Sequence, residues 1–118
     1  MTVKRIVANL AAADPGSLRT FYETLLDLEV VMDHGWIVTL ASSETTRPQI
    51  SIASEGGSGT QVPDLSIEVD DVDRAYARAV AAGYAITYDI TDEPWGVRRF
   101  YVRDPSDRIV NILSHKGT

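Results

Sequence analysis

The sequence predicts an α+β fold in which one βαβββ plan occurs twice, and three observations carry that expectation. Two aspartates placed to cap helices, Asp14 and Asp71, lie 71 − 14 = 57 positions apart, close to half of the 118 residues. Each is followed by an apolar stripe at helical spacing, then by short segments rich in β-branched and aromatic residues. Between the halves stands Glu55-Gly56-Gly57-Ser58-Gly59-Thr60, which reads as a flexible linker. One domain spanning the chain is expected, built from modules Val3–Glu55 and Val62–His115.

The first module opens with a strand over Ile6–Leu10. Asp14 then offers a carboxylate to the first free amides of a helix, and Pro15 suits that helix's first position. Leu18, Phe21, Tyr22 and Leu25 recur at i, i+3, i+4 and i+7, so they share one face. Strands are expected over Glu29–Met32, Trp36–Leu40 and Gln49–Ala53, with Asp33-His34-Gly35 as a hairpin turn. The second module starts with a strand over Leu65–Val69. Asp70 or Asp71 caps a helix carrying Val72, Ala75, Tyr76, Ala79 and Val80, and Gly83 supplies a left-handed stop. Strands over Tyr84–Tyr88, Val97–Arg103 and Ile109–Ser114 complete it, making eight strands and two helices in all. The last two strands form a hairpin about Asp104-Pro105. There Pro105 presets φ for a turn, and Asp104 can accept hydrogen bonds from the amides beyond it.

Composition narrows the function. With no cysteine, neither a disulfide framework nor a thiolate metal site is possible, which fits a reducing cytoplasm. No apolar run approaches the ~18 residues of a membrane span, and the N-terminus leads directly into a strand-like segment. The net charge is −6, with Lys and Arg scattered rather than striped, which argues against a nucleic-acid partner.

The stretch from Pro94 to Leu113, with Gly96, Arg98, Phe100, Asp104 and Pro105 in it, resembles the terminal hairpin of the vicinal oxygen chelate superfamily. That superfamily groups glyoxalases, bleomycin-resistance proteins and extradiol dioxygenases. Phe21-Tyr22, Leu25-Leu26 and Val69-Asp70-Asp71-Val72 fit it too, so the resemblance covers nearly the whole chain. It implies curled mixed sheets around a concave cleft, with the helices on the outer faces. Two positions depart from the pattern: Asp107 stands where the hairpin has glycine, and Asn111 where catalytic members have a metal-binding glutamate.

Alternation separates the strand faces. Leu65, Ile67 and Val69 oppose Asp64, Ser66 and Glu68, while Val110 and Ile112 oppose Asn111, whose face Ile109 and Leu113 share. Ile50 and Ile52 oppose Gln49 and Ser51. The apolar sets are expected against the helices. The mixed sets are either solvated, as on many one-sided sheets, or, as the resemblance implies, line the ligand cleft. Trp36, Tyr88, Trp95 and Phe100 are the aromatics best placed to wall it, and Arg98 is a candidate anchor for an anionic group. Val97–Arg103 alternates poorly, which leaves open whether Arg98 or Arg99 points inward.

The resemblance also carries over the metal positions, to Val7, Gln49, Asp64 and Asn111. Only Asp64 is charged there, valine cannot ligate, and the two amides attract a divalent ion weakly. Neither His34 nor His115 matches a ligand position, so no metal and no cofactor is expected. Asp64 and Glu68 share a strand face at a Cβ separation of roughly 13 Å, too far to share a proton. Glu68 remains a candidate lone general base. The resemblance implies, first, a metal-independent protein that binds or sequesters a small molecule, as in the bleomycin-resistance branch. Net acidity favours a cationic or aromatic ligand, and the resemblance implies a homodimer. The alternatives are a lyase, isomerase or dioxygenase of the same superfamily, with or without metal, or a module whose cavity its own side chains fill.

Overall fold

The computed structural model describes residues 8, 10, 12–43, 51 and 53–116. Over these the order is α1 (Pro15–Leu26), β1 (Glu29–Asp33), β2 (Val38–Ala41), β3 (Leu65–Glu68), α2 (Val72–Ala81), β4 (Ile86–Asp92), β5 (Val97–Arg103) and β6 (Ile109–His115). The strands expected over Ile6–Leu10 and Gln49–Ala53 lie largely outside the described residues.

Both helices start as their caps dictate. Asp14 Oδ1 accepts from Gly16 N at 3.1 Å with Pro15 next in line, and Asp71 Oδ1 accepts from Arg74 N at 3.0 Å. In α2, Asp73 in the first turn and Arg78 in the last complement the helix dipole. Its end is a Schellman closure: Tyr84 N donates to Ala79 O and Gly83 N to Val80 O, with Gly83 at φ +77. This closure takes Tyr84 out of the following strand. β4 therefore begins at Ile86 and runs to Asp92, beyond the expected end at Tyr88.

The β1–β2 hairpin is antiparallel, and β2 starts two residues later than expected because His34 N closes the turn onto Ile37 O. The other four strands form an open mixed sheet in the order β3-β6-β5-β4, with β3 parallel to β6 and the remaining pairs antiparallel. Phe21 and Leu25 of α1, Ala75 and Ala79 of α2, and Phe100, Val102, Val110 and Ile112 of β5 and β6 meet in one core. Two ring contacts close it, Phe21 on Tyr84 at 4.4 Å and Tyr76 edge-on to Phe100 at 5.3 Å. Phe100 is thus fully buried against α2, which corrects its expected place in a cleft wall.

The β5–β6 turn locks α1 to the sheet. The buried Asp104 carboxylate accepts from Ser106 N at 2.8 Å, Arg108 N at 3.0 Å and the Tyr22 hydroxyl at 3.1 Å. Asp107 adopts φ +67, the left-handed conformation that explains a glycine preference there and that aspartate tolerates better than most residues.

Candidate functional site

Sheet register decides what the face turned away from the helices can do. Ser66, Asn111, Tyr101 and Tyr88 are successive cross-strand partners, one from each of the four strands. At the β3–β6 side, Asn111 Nδ2 donates to Ser66 Oγ at 3.1 Å, and Asp64 Oδ2 accepts from Ile109 N at 2.8 Å. Glu68 Oε2 lies 3.0 Å from His115 Nδ1, both side chains exposed. Of the expected set Asp64, Ser66, Glu68 and Asn111, only Ser66 and Asn111 touch each other, while Asp64 meets the Ile109 amide and Glu68 meets His115. Asn111 is buried, and its Oδ1 has no hydrogen-bond partner.

The β4–β5 side is occupied by the chain itself. Arg99 points into it, buried, with Nε 2.8 Å and Nη2 2.7 Å from Oε2 of the equally buried Glu93. Tyr88 and Tyr101 lie beside the pair with ring centres 5.2 Å apart and planes tilted at 49°, and the Tyr88 hydroxyl donates to Glu93. Residues 56–60 fold over this group, which corrects their reading as a free linker. Gly56 O accepts from Arg99 Nη1 at 2.7 Å, and Thr60 Oγ1 lies 2.8 Å from the Tyr101 hydroxyl. A Cβ on Gly56 would strike the Tyr101 hydroxyl, so glycine is needed for this approach.

Arg98, the candidate anchor, faces the other way. It pairs with Asp73 of α2 at 2.9 Å and Asp92 at 3.2 Å, and those two carboxylates hold its pKa above the ordinary value. Arg99 is the inward arginine. Strand alternation could not separate the two because β5 is covered on both faces: Phe100 and Val102 meet the helices, while Val97, Arg99 and Tyr101 are also buried. Glu93, Tyr101 and the Gly56–Thr60 segment were missed at the sequence level. Their signal is non-local, since each acts only through a side chain brought in by sheet pairing.

A cavity of about 510 Å³ opens elsewhere, on the helix side of β3, between α1 and the β1–β2 hairpin. Leu10, Leu18, Leu28, Leu40, Leu65 and Ile67 give it an apolar wall, and Trp36 stands at it 77% exposed. Arg19, Tyr22 and Thr39 bring polar groups to its lining. Burial, then the adjoining Asp104 carboxylate, raise the Tyr22 pKa well above that of an ordinary phenol. Tyr88 and Trp95 adjoin Arg99, Ser51 is exposed, and Gln49 and Val7 lie outside the described residues.

The donor set does not suit a divalent ion. Asp64 already spends one oxygen on a backbone amide, Asn111 offers a neutral oxygen, and Val7 offers none. Among the described residues no three His, Cys, Asp or Glu side chains converge. Among them, too, no helix is long and apolar enough to cross a membrane.

The βαβββ run from β3 to β6, closed by a parallel strand pair and backed by two helices, defines an α+β protein of the vicinal oxygen chelate type. Residues 3–112 match the Glyoxalase/Bleomycin resistance protein/Dioxygenase superfamily, and the chain belongs to that superfamily. Several solved structures share the fold. TioX from Micromonospora sp. ML1 is 20% identical with TM-score 0.66, the match covering 98% of each chain. TnmS3, an antibiotic binding protein from Streptomyces sp. CB03234, is 19% identical with TM-score 0.66, covering 91% of each chain. A lactoylglutathione lyase from Agrobacterium tumefaciens is 20% identical with TM-score 0.64, covering 95% of this chain and 94% of that one. At these identities the likeness is one of fold. A comparison with curated proteins finds no match.

Proposed function

We propose that this protein binds a small apolar or aromatic molecule without a metal ion and carries out no chemistry on it. The observation that carries this reading is the 510 Å³ cavity, whose size, apolar wall and few polar groups suit a drug-sized ligand. Metal independence is supported by the donor chemistry at Asp64 and Asn111, and an antibiotic-binding role by analogy with TnmS3, which shares the fold. The reading includes modules 3–55 and 62–115, a cytoplasmic location and a homodimer. The homodimer rests on the family resemblance and on the general need of curled sheets to pair or cover their edges.

A thermal-shift screen over aromatic antibiotics, aromatic acids and thiol conjugates, run in chelator, tests this. A ligand at 100 times its Kd adds about 2.7 kcal/mol, which raises Tm by about 10 °C for a domain of this length. The shift should survive the chelator and shrink in Trp36→Ala. Binding that requires added metal would overturn the reading. A lyase or isomerase is favoured by one observation, the Glu68–His115 pair, a carboxylate and an imidazole in hydrogen-bond contact. Turnover of a bound ligand that disappears in Glu68→Gln would establish that alternative.

A further inference from the structure

We propose that the ligand of the apolar cavity is an aliphatic carboxylic acid, its hydrocarbon chain inside and its carboxylate on Arg19 at the opening. This rests on the reading of that cavity as a small-molecule site and gives its ligand a chemical class. It also reverses what the net charge of −6 suggests, since an acidic protein is expected to draw a cation.

Charge at the cavity runs against the charge of the whole. Among the described residues that line it, Arg19 is the one charged side chain, and no Asp or Glu is among them. An organic cation entering the cavity would give up water without gaining a carboxylate, which is costly. The wall selects the body of the ligand. It is mostly Leu, Ile, Val and Ala, and its two rings are Tyr22 and the largely exposed Trp36. The Tyr22 hydroxyl already donates its one proton to Asp104 at 3.1 Å, so it has none to offer a carboxylate deeper in. Thr39 and Trp36 bring neutral donors, which leaves Arg19 as the group that answers an anionic head.

Arg19 is placed and poised for that contact. It lies on α1 at i−3 from Tyr22, and its Nη1 is 3.6 Å from Asp33 Oδ2 at the end of β1. The guanidinium therefore stands where the helix faces the hairpin. Glu23 holds its Nε at 2.9 Å, which steadies the planar fork. Nη2 makes no hydrogen bond or ion pair among the described residues. The Arg19 side chain is 39% exposed and Asp33 45%, and pairs this open to solvent are weak, so a ligand carboxylate can displace Asp33 from Nη1. Nη1 and Nη2 then present two parallel donors to one carboxylate, the arrangement in which arginine binds such a group best. The methylenes behind the carboxylate run into the aliphatic wall.

Octanoate, octylammonium and 1-octanol share one tail and differ in head-group charge, and calorimetry against the full chain ranks them. Octanoate should bind at least about tenfold more tightly than either of the others, as a charge-assisted hydrogen bond provides. Decanoate should bind about tenfold more tightly again, because two further methylenes are buried. Arg19→Gln should lower octanoate affinity about tenfold and leave 1-octanol unchanged, while Arg19→Lys, which keeps the charge, should retain part of the gain. If Arg19→Gln does not fold, the head-group ranking and the chain-length step in the native protein decide. Octylammonium or 1-octanol binding as tightly as octanoate, or octanoate affinity indifferent to Arg19→Gln, overturns the proposal and leaves the cavity as a small-molecule site. Failure of all three to bind while aromatic ligands still raise Tm has the same meaning, and failure of every ligand overturns both.

Discussion

Replacing Glu93 by glutamine keeps the side chain's shape and deletes the charge that faces Arg99. The Arg99 and Glu93 side chains are only 4% and 2% exposed, so solvent cannot screen what remains. Breaking a buried pair from one side leaves an uncompensated charge and costs about 3–5 kcal/mol. The entropy of unfolding, at about 2.1 cal/mol/K per residue, comes to about 0.25 kcal/mol/K for 118 residues. The expected fall in Tm for Glu93→Gln is then about 12–20 °C. Arg99→Met should cost a comparable amount for the mirror-image reason. The double variant should cost less than the sum, because the amide left at position 93 can still meet the Tyr88 and Ser58 hydroxyls while the methionine fills the arginine's place. Thermal melts by circular dichroism, backed by urea titrations of all four proteins, measure the cycle. A loss under about 1 kcal/mol for Glu93→Gln, in the range of an exposed pair, would refute the premise that this face is dry and closed.

Three further outcomes are expected. Val7→His combined with Asn111→Glu should raise affinity for a divalent ion measurably over the native protein, by calorimetry and elemental analysis, since it restores two good donors at positions that the family resemblance groups with Asp64. Near-stoichiometric metal in the unmodified protein would contradict that reasoning. In an ultraviolet titration, Tyr22→Phe should remove a late-ionising phenol. Burial and Asp104 raise the Tyr22 pKa, so its contribution is fully present below the unfolded value near about 10 and is lost as pH rises through the folded one. On the acid side, Lys116 first and Arg98 second hold Asp92 below the usual carboxylate range. Its contribution is present above about pH 4 and is lost as pH falls through the depressed value, so Asp92→Asn should flatten that part of a Tm-against-pH curve.

Local chemistry was sufficient for the two helices and for the order of the described strands. Asp14 and Asp71 cap helices because a short carboxylate reaches orphan amides wherever such a sequence occurs. Leu18, Phe21, Tyr22 and Leu25 fall on one buried face by helical spacing alone. Ser66 and Glu68 are separable from the core in the sequence because β3 keeps a two-residue alternation, whereas β6 buries residues on both faces, Asn111 among them. The tertiary structure decided what those periodicities leave degenerate. Arg98 and Arg99 are equivalent until strand pairing assigns one to α2 and the other to the Tyr88–Tyr101 side. Phe100 belongs to the core because α2 covers its face. The Gly56–Thr60 segment reads as a tether by composition, yet its carbonyls lie where a buried guanidinium, more than forty positions away in the chain, needs acceptors. Spacing along a chain can state which residues share a face. Only the packed fold brings groups distant in the chain together, Gly56 O and Gly57 O with Arg99 and Glu68 with His115.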